Sequence, residues 1–363
     1  MTTLLLIISA AAVIFMVFGL AFFYSGQTNE KSVTNTLLMS FGSLAIVMPL
    51  WAIVGHNIAF GDTSDSAFVL FQGAFAVIAT ALISGSIVQR MKFSSWMIFA
   101  GLWSLAVYSI LVQWTWSETG WLFNLGAIDL AGGGPIHIAA GVSGAILALI
   151  LGNRLAADTH DHHRNNVPQV ILGAGILSFG WIFFNGGSVL DVNETTAMVA
   201  LNTVLAASIG AAAWMIMDGL HHKSVTALSG ASGAVAGLVA ITPSAAAVNT
   251  TGAIVIAALA AVAVYLVLLL KNKFPVDDAL DVAAFHAVAG IVGSLAIGFL
   301  GTEVGLFYGA GFEQLGIQAI AVVSTIAFSA VVTLALALAG KYTIGLRVET
   351  EVEAQGIDKI HAT

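Results

Sequence analysis

Long runs of apolar residues alternate with short polar connections along almost the whole chain. A helix needs about 20 apolar residues to cross the hydrocarbon core of a bilayer, and each run is close to that length. Glycine is frequent in the runs, as is usual where membrane helices approach each other closely. The pattern predicts eleven spans, at residues 3–24, 36–60, 67–88, 94–115, 134–152, 168–187, 196–217, 225–243, 251–270, 279–301 and 314–340.

Composition supports this assignment. Of the 363 residues, 59% are hydrophobic and only 8% are charged, whereas a soluble domain has about 25% charged residues. The chain has no basic patch of the kind that binds nucleic acid. It also has no cysteine, which excludes disulfides, thiolate metal sites and cysteine nucleophiles. We therefore expect an all-α polytopic membrane protein in contact with lipid.

The distribution of charge predicts an orientation for the eleven spans. With the N-terminus outside, all 11 Lys and Arg residues fall in connections on one side. The charged residues in the connections on the other side are all acidic, such as Asp62, Asp191 and Glu303. Because short cytoplasmic loops are enriched in Lys and Arg, we expect the N-terminus outside and the C-terminus inside.

An internal repeat is visible in the motif His-x-x-Ala-Gly-x-x-Gly, which begins at His137 and again at His286. Asp129 and Asp278 each stand eight residues before one of these histidines. A second pair of related segments, 19–26 and 180–187, has a similar separation. Five spans separate the equivalent segments, so we expect spans 1–5 and 6–10 to form two inverted repeats, with span 11 outside them.

The inverted arrangement would bring the rings of His137 and His286 together near the middle of the membrane. Ionisable residues in membrane spans are costly and usually have a functional role, although a histidine that only packs helices remains an alternative. A metal site needs three or four ligands, and Asp129 and Asp278 are predicted to lie too far away. No His-Glu-x-x-His motif is present. We therefore predict no metal, no cofactor and no enzymatic activity.

A group of aromatic and hydroxyl residues is predicted above the histidines, at the outer ends of the spans. Aromatic faces with a hydroxyl acceptor suit a small cation, through cation–π attraction. The alternatives are an interfacial role for the tryptophan and packing roles for the phenylalanines. The group comprises Phe71, Phe75, Trp116, Asp129, Phe184 and Ser188.

A further histidine cluster, at His160, His162 and His163, lies in a predicted inner loop. It has the composition of a metal-binding tract. A solvated polar connection is the preferred interpretation, because no residues are evident that would orient the rings as ligands. Its role is left open.

Taken together, these motifs resemble the ammonium transporter, methylammonium permease and Rh family over nearly the whole chain. Each stretch alone is weak evidence, but their number and order make the resemblance specific. The matching stretches are at residues 19–24, 71–76, 129–137, 184–188, 241–243, 277–282 with His286, and 345–348.

The resemblance implies a role for each residue. Trp116, Phe71 and Ser188 would form an outer site that recruits ammonium, and Phe75 and Phe184 would stack as a gate below it. His137 and His286 would be paired pore histidines, and Asp129 would be the buried acid that shapes the outer site. The resemblance also implies a homotrimer with one pore per subunit and, in some members, a PII-type signal protein bound at the inner face.

We therefore expect a multi-pass protein of the cell (plasma or inner) membrane, with a membrane domain at 1–343 and a cytoplasmic tail at 344–363. Ammonium would be captured outside, deprotonated, and passed as ammonia through a hydrophobic pore. Two inner segments, 25–32 and 87–90, depart from the family pattern. They motivate an alternative, an ammonium sensor that signals to a cytoplasmic partner. Whether transport is electrogenic or neutral is left open by the sequence.

Overall fold

The computed structural model describes residues 1–62, 65–155 and 166–360, and the secondary structure over these ranges is almost entirely helical. A single β-type bridge, between Met91 and Arg347, is the exception there. The helices are α1 Thr2–Ser25, α2 Glu30–Phe60, α3 Ser66–Ile87, α4 Phe93–Leu125, α5 Gly133–Leu151, α6 Val167–Gly187, α7 Glu194–His221, α8 Ala227–Ile241, α9 Thr250–Leu269, α10 Ala283–Leu300, α11 Glu313–Thr343 and α12 Thr350–Gln355.

The predicted all-helical membrane architecture is confirmed. Ten helices of the described ranges, α1–α7 and α9–α11, are long and apolar enough to cross a membrane. Apolar side chains are exposed along the outward faces of several helices, as contact with lipid requires. They include Phe15 on α1, Leu172 and Phe179 on α6, Ile216 on α7, Leu259 on α9 and Val331 on α11.

The eighth predicted span differs from the other ten. It is helical at α8, but with 15 residues it rises only about 22 Å at 1.5 Å per residue. A capping box between Thr226 and Ser229 begins this helix, and a turn that contains Pro243 follows its end. The number of eleven spans therefore remains a prediction.

Polar side chains set the starts of several helices. Asn166, Asn193 and Asn249 each accept a backbone N–H from the first turn of the following helix, α6, α7 and α9 respectively. Such caps satisfy amide groups that have no partner within the helix. They explain why these helices begin at polar residues rather than at the first apolar one.

Glycine allows the central helices to pack closely. On α7 and α8, a Cβ atom added at Gly210 or Gly233 would collide with the carbonyl oxygen of the other glycine. On α1 and α6, a Cβ at Gly173 would lie 2.6 Å from the Gly19 carbonyl oxygen. Close helix approach of this kind is typical of membrane interiors, where packing rather than the hydrophobic effect drives association.

An ionic cluster closes the end of the bundle where α3 ends and α10 begins. The Arg154 guanidinium donates to both carboxylate oxygens of Asp277, at 2.9 and 2.8 Å, and the fully buried Arg90 donates to the Asp277 carbonyl. Burial alone would raise the pKa of Asp277, but Arg154 and Arg90 lower it to about 2. Burial lowers the pKa of Arg90 to about 10.

The segment after α11 is attached to this cluster and to the neighbouring loops. Arg347 donates to the carbonyls of Leu151 and Asn153 and pairs with Glu353. Both carboxylate oxygens of Asp358 accept backbone N–H groups at the start of α2. A carboxylate at a helix N-terminus is a favourable arrangement, because the unpaired N–H groups and the helix dipole attract negative charge there. The tail is therefore folded against this end of the bundle.

We predict that Asp277→Asn lowers the free energy of unfolding by about 3 kcal/mol, since it leaves buried Arg90 without its compensating charge. The pKa of Asp277 is lower in the folded protein, so the stabilisation is complete above about pH 4 and is lost as the pH falls towards 2. The measurement is the thermal unfolding midpoint in detergent at pH 7.

Asp281→Asn is the control for this prediction. It removes the ion pair with Lys271, in which both side chains are partly exposed, and we expect a loss of at most about 1 kcal/mol. Asp281 has a φ of 61°, which asparagine also tolerates. Equal midpoints for the two variants would show that the cluster does not hold this end of the bundle together.

Candidate functional site

His137 and His286 meet in the interior of the bundle, as their repeat positions predict. Their Nδ1 atoms are 3.2 Å apart, and the ring planes are 18° from parallel. Both side chains are buried, with exposed fractions of 1% and 4%. This is a direct hydrogen bond between two imidazoles in an otherwise apolar environment.

The hydrogen bond restricts the protonation of the pair. Of two neutral rings joined through Nδ1, one has its proton on Nδ1 and the other on Nε2. The pair thus offers one Nε2 acceptor and one Nε2–H donor. The His137 Nε2 atom has no hydrogen-bond partner in the described part of the chain. It is free to bind a small molecule that can donate or accept a proton.

Two local features bring the rings together. Each histidine lies in a six-residue π-helical start of its helix, Gly133–Ile138 in α5 and Ala283–Val288 in α10. The glycines of the repeated motif remove side chains where the helices cross. A Cβ at Gly141 would lie 2.5 Å from the Ala287 nitrogen, and one at Gly290 would lie 3.1 Å from the Gly133 oxygen.

The space beside the pair, here the histidine cavity, is narrow and almost wholly apolar. Its volume is about 20 Å³, which is the space that one water-sized molecule needs. Trp181 stacks on His137 at a ring distance of 5.5 Å. The lining residues are Met16, Leu20, Phe23, Tyr24, Ile78, Leu82, Ile136, His137, Leu177, Trp181, Phe184, Val235, Leu280, Val282, Phe285 and His286.

Phe75 and Phe184 separate this cavity from a second one. Their ring centroids are 4.2 Å apart and both side chains are 1% exposed. Phe184 lines the histidine cavity, and Phe75 lines the second cavity. The two rings are in contact between the two cavities, and their role as a gate stays a prediction.

The second cavity, here the Trp116 cavity, has a volume of about 150 Å³. The Trp116 indole N–H donates to the Asp129 carbonyl at 2.8 Å, which fixes the ring and leaves its face available. The Ser188 hydroxyl donates to the Phe184 carbonyl at 2.9 Å, so its oxygen can only accept from a ligand. The lining residues are Phe60, Phe68, Gln72, Phe75, Trp116, Phe123, Leu130, Ser188 and Leu190.

Phe71 and Gln72 differ from the sequence expectation. Phe71 is fully buried behind Phe75, at a ring distance of 4.6 Å, and is not among the residues that line the cavity. Its neighbour Gln72 does line the cavity, and its buried Oε1 atom has no partner in the described ranges. Gln72 stands beside Phe71 in the stretch Phe71-Gln-Gly-Ala-Phe75, where an amide among apolar residues is the available sequence signal.

Asp129 lies behind the Trp116 cavity rather than in it. Its carboxylate accepts backbone N–H groups from Gly132, Gly133 and Gly134 at 2.7–2.8 Å, which fixes the turn before α5. Burial raises the pKa of Asp129 despite these three donors. Gln318 of α11, which sequence reasoning missed, holds the same turn through both backbone groups of Ile128.

Metal binding finds no support in the described part of the chain. No group of three or more His, Asp or Glu side chains there has the arrangement of a metal site. The cluster at His160, His162 and His163 lies outside the described residues.

Sequence comparison extends over almost the whole chain. The sequence model of the Ammonium Transporter Family matches residues 4–363. An ammonium transporter of Aquifex aeolicus is 44% identical, with 99% of this chain and 92% of the relative covered. Ammonium transporter Amt1 of Archaeoglobus fulgidus is 36% identical, with 96% and 95% covered.

Solved structures with the same fold include the "Sensor Amt Protein", at a TM-score of 0.93 and 28% identity, which covers 100% of this chain and 98% of that one. Saccharomyces cerevisiae Mep2 has a TM-score of 0.88 and 28% identity, with 96% and 88% covered.

Proposed function

The chain belongs to the Ammonium Transporter Family, and we propose that it captures ammonium in the Trp116 cavity and passes it as ammonia through the histidine cavity. The observation that carries this proposal is the order of three features along one path. The Trp116 cavity, the Phe75–Phe184 stack and the His137–His286 pair follow one another into the bundle.

Capture rests on the chemistry of the Trp116 cavity. The faces of Trp116 and Phe75 attract a cation, and the Ser188 oxygen accepts one of its N–H groups. Phe71 supports the Phe75 ring from behind, and Asp129 fixes the backbone to which Trp116 is bound. The role of these residues is to concentrate ammonium beside the gate.

Passage rests on the dryness of the histidine cavity. Moving an unpaired charge into such an environment costs on the order of 10 kcal/mol. Potassium cannot avoid this cost, whereas ammonium can lose a proton and continue as neutral ammonia. The Nε2 acceptor and donor of the pair replace hydrogen bonds that ammonia loses on leaving water.

The same proposal includes eleven spans. Ser229 of α8 lines a cavity at the end of the bundle where α7 ends. After α8, the Pro243 carbonyl accepts the N–H of Leu130, which lines the Trp116 cavity at the other end. The helix α8 and the turn after it, which contains Pro243, thus extend from one end of the bundle to the other. Spans 1–5 and 6–10 are then inverted repeats, with the N-terminus outside and the C-terminus inside.

From its family membership we also propose that the protein forms a homotrimer in the cell (plasma or inner) membrane. Residues 1–343 would be the membrane domain and 344–363 the cytoplasmic tail. The tail contacts favour a second function, that of a sensor. Through Arg347, Glu353 and Asp358 the tail touches the loop after α5 and the start of α2, so a PII-type or other cytoplasmic partner could respond to changes there.

We predict that cysteine labelling places the two ends of α8 on opposite sides. The natural chain is free of cysteine, so a single introduced cysteine is the only residue that the reagent labels. Lys223→Cys and Lys359→Cys should react from the cytoplasmic side, and Thr251→Cys and Glu303→Cys from the outside. Reaction of Lys223→Cys and Thr251→Cys from one side would exclude α8 as a span.

We predict that His137→Ala and His286→Ala raise the potassium current about tenfold or more, since the void admits water that hydrogen-bonds to the remaining imidazole. Ammonium and potassium currents are compared in reconstituted membranes. Trp116→Leu is the matched control, because it should weaken ammonium capture without admitting potassium. Histidine variants that keep full ammonium transport and still exclude potassium would contradict the proposal that His137 and His286 keep the pore dry and relay the proton that ammonium loses.

We predict that deletion of residues 349–363 changes ammonium transport or partner binding and leaves the yield of assembled protein unchanged. The reason is that the deletion removes two carboxylates that accept backbone N–H groups. Glu353 accepts from Leu155, and Asp358 accepts from residues at the start of α2. Transport is measured in reconstituted membranes, and assembly by elution volume. The double variant Glu353→Gln, Asp358→Asn tests the same contacts in the full chain. An unaltered phenotype for both would assign the tail no coupling role.

A further inference from the structure

Behind the Trp116 cavity lies a third cavity, here the Asp129 cavity, which the proposed function does not use. It lies where α4, α5, α10 and α11 meet, and it shares no lining residue with the Trp116 cavity or the histidine cavity. Its volume is about 20 Å³, which is the space that one water-sized molecule needs. The chemistry of its walls indicates which molecule fits there.

Three buried hydroxyl groups line the Asp129 cavity. They belong to Thr115 on α4, Ser294 on α10 and Thr325 on α11, and these residues are 6%, 5% and 2% exposed. None of the three hydroxyls forms a hydrogen bond within the described part of the chain. A buried polar group without a partner is costly, so the three hydroxyls together favour an occupant that can form hydrogen bonds with them.

The Asp129 carboxylate adds an acceptor to the same space. Its Oδ1 atom accepts the N–H groups of Gly132 and Gly133, whereas Oδ2 accepts only that of Gly134, which leaves Oδ2 one further lone pair. A Cβ atom added at Gly134 would lie 3.3 Å from Oδ2 and 3.4 Å from the Thr325 Oγ1 atom. The lack of a side chain at Gly134 therefore leaves room between the carboxylate and the hydroxyl.

The remaining wall offers no other partner to these groups. Gln318 lines the cavity, but its amide already forms hydrogen bonds with both backbone groups of Ile128, with the Ser294 carbonyl and with Gln314. The other lining side chains, such as Leu122 and Val322, are apolar.

This set of groups suits water better than a cation. A water molecule both donates and accepts, and a buried one needs two to four polar partners. Oδ2 can only accept, and each hydroxyl can donate or accept, so one water can satisfy several of them at once. Hard cations instead take many oxygen ligands and usually more than one carboxylate, and Asp129 is the one acidic residue of this cavity.

We propose that the Asp129 cavity binds one water molecule, which bridges the Asp129 carboxylate to the hydroxyls of Thr115, Ser294 and Thr325 and so positions Trp116. The Asp129 carbonyl accepts the Trp116 indole N–H at 2.8 Å, and Thr115 is the chain neighbour of Trp116. The positioning role rests on the ammonium capture proposed above. Thr325 is then a positioning residue for capture, although it does not line the Trp116 cavity.

The first test is direct detection of the water, in an experimental structure of the full chain that resolves ordered solvent. Wild-type protein should show one water within hydrogen-bond distance of Asp129 Oδ2. Gly134→Ala should exclude it, because the methyl group occupies the space between Oδ2 and Thr325. Gly134 is not among the residues with positive φ, so alanine and serine fit the backbone there. Gly134→Ser should replace the water with its own hydroxyl.

The second test measures ammonium transport in reconstituted membranes. Thr325→Val keeps the shape of the side chain and removes the hydroxyl. It should raise the half-saturating ammonium concentration about threefold, as expected for one lost hydrogen bond, and leave the maximal rate unchanged. Thr325→Ser, which keeps the hydroxyl, should restore most of the wild-type value. Gly134→Ala should act like Thr325→Val, and Gly134→Ser should act less.

Two controls separate positioning from a general loss of packing. Ser329→Ala removes another buried hydroxyl without a partner in the described ranges, one turn further along α11 and outside the cavity, so it should change nothing. In a Trp116→Leu background, Thr325→Val should have little further effect, because the ring that the water positions is absent. Thermal midpoints identify a variant that fails to fold, and Gly134→Ala then replaces Thr325→Val in the comparison.

Each failure has its own signature. A wild-type structure without the water, or a half-saturating concentration that depends on sodium when choline replaces it, would overturn the water site. A water that is present while folded Thr325→Val keeps the wild-type half-saturation, or shifts it equally in the Trp116→Leu background, would overturn the positioning role. Wild-type protein that shows the water but moves no ammonium would instead overturn the proposed transport function.

Discussion

The arrangement of the bundle depends on the close crossing of α5 and α10, which places two imidazoles 3.2 Å apart in an apolar interior. Gly141 and Gly290 permit this crossing, since a side chain at either position would meet backbone or histidine atoms of the other helix. Asp129 and Asp278 hold the two helix starts by accepting N–H groups of their first turns. The repeated motif thus encodes a contact between helices as much as a pair of ionisable groups.

Much of this fold is predictable because it follows from one-dimensional patterns. Apolar length located the helices α1–α11, and the repeated motif alone paired His137 with His286. The length of α8 was less accessible: the span was predicted at 225–243, whereas the helix is Ala227–Ile241 and residues 242–247 form turns. Hydropathy does not distinguish an apolar turn from an apolar helix when both are buried.

The walls of the cavities were harder to predict. Phe71 and Phe75 lie on one helix face, yet only Phe75 reaches the Trp116 cavity, because its neighbours on other helices decide which ring is covered. Gln72 and Gln318 were not predicted as site residues.

The Nδ1–Nδ1 hydrogen bond has a direction, from the ring that donates to the ring that accepts, and the transfer of a proton through the pair would reverse it. If a proton enters at the Nε2 acceptor of one ring, crosses the Nδ1–Nδ1 bond and leaves from the Nε2–H of the other, both tautomers are exchanged and the bond points the opposite way. A second proton cannot follow from the same side until the rings reorient or a passing molecule exchanges hydrogens with both Nε2 atoms. A pair that relayed protons in this way would pass one proton at a time, so a proton current through it would depend on the passage of the molecules that exchange hydrogens with it.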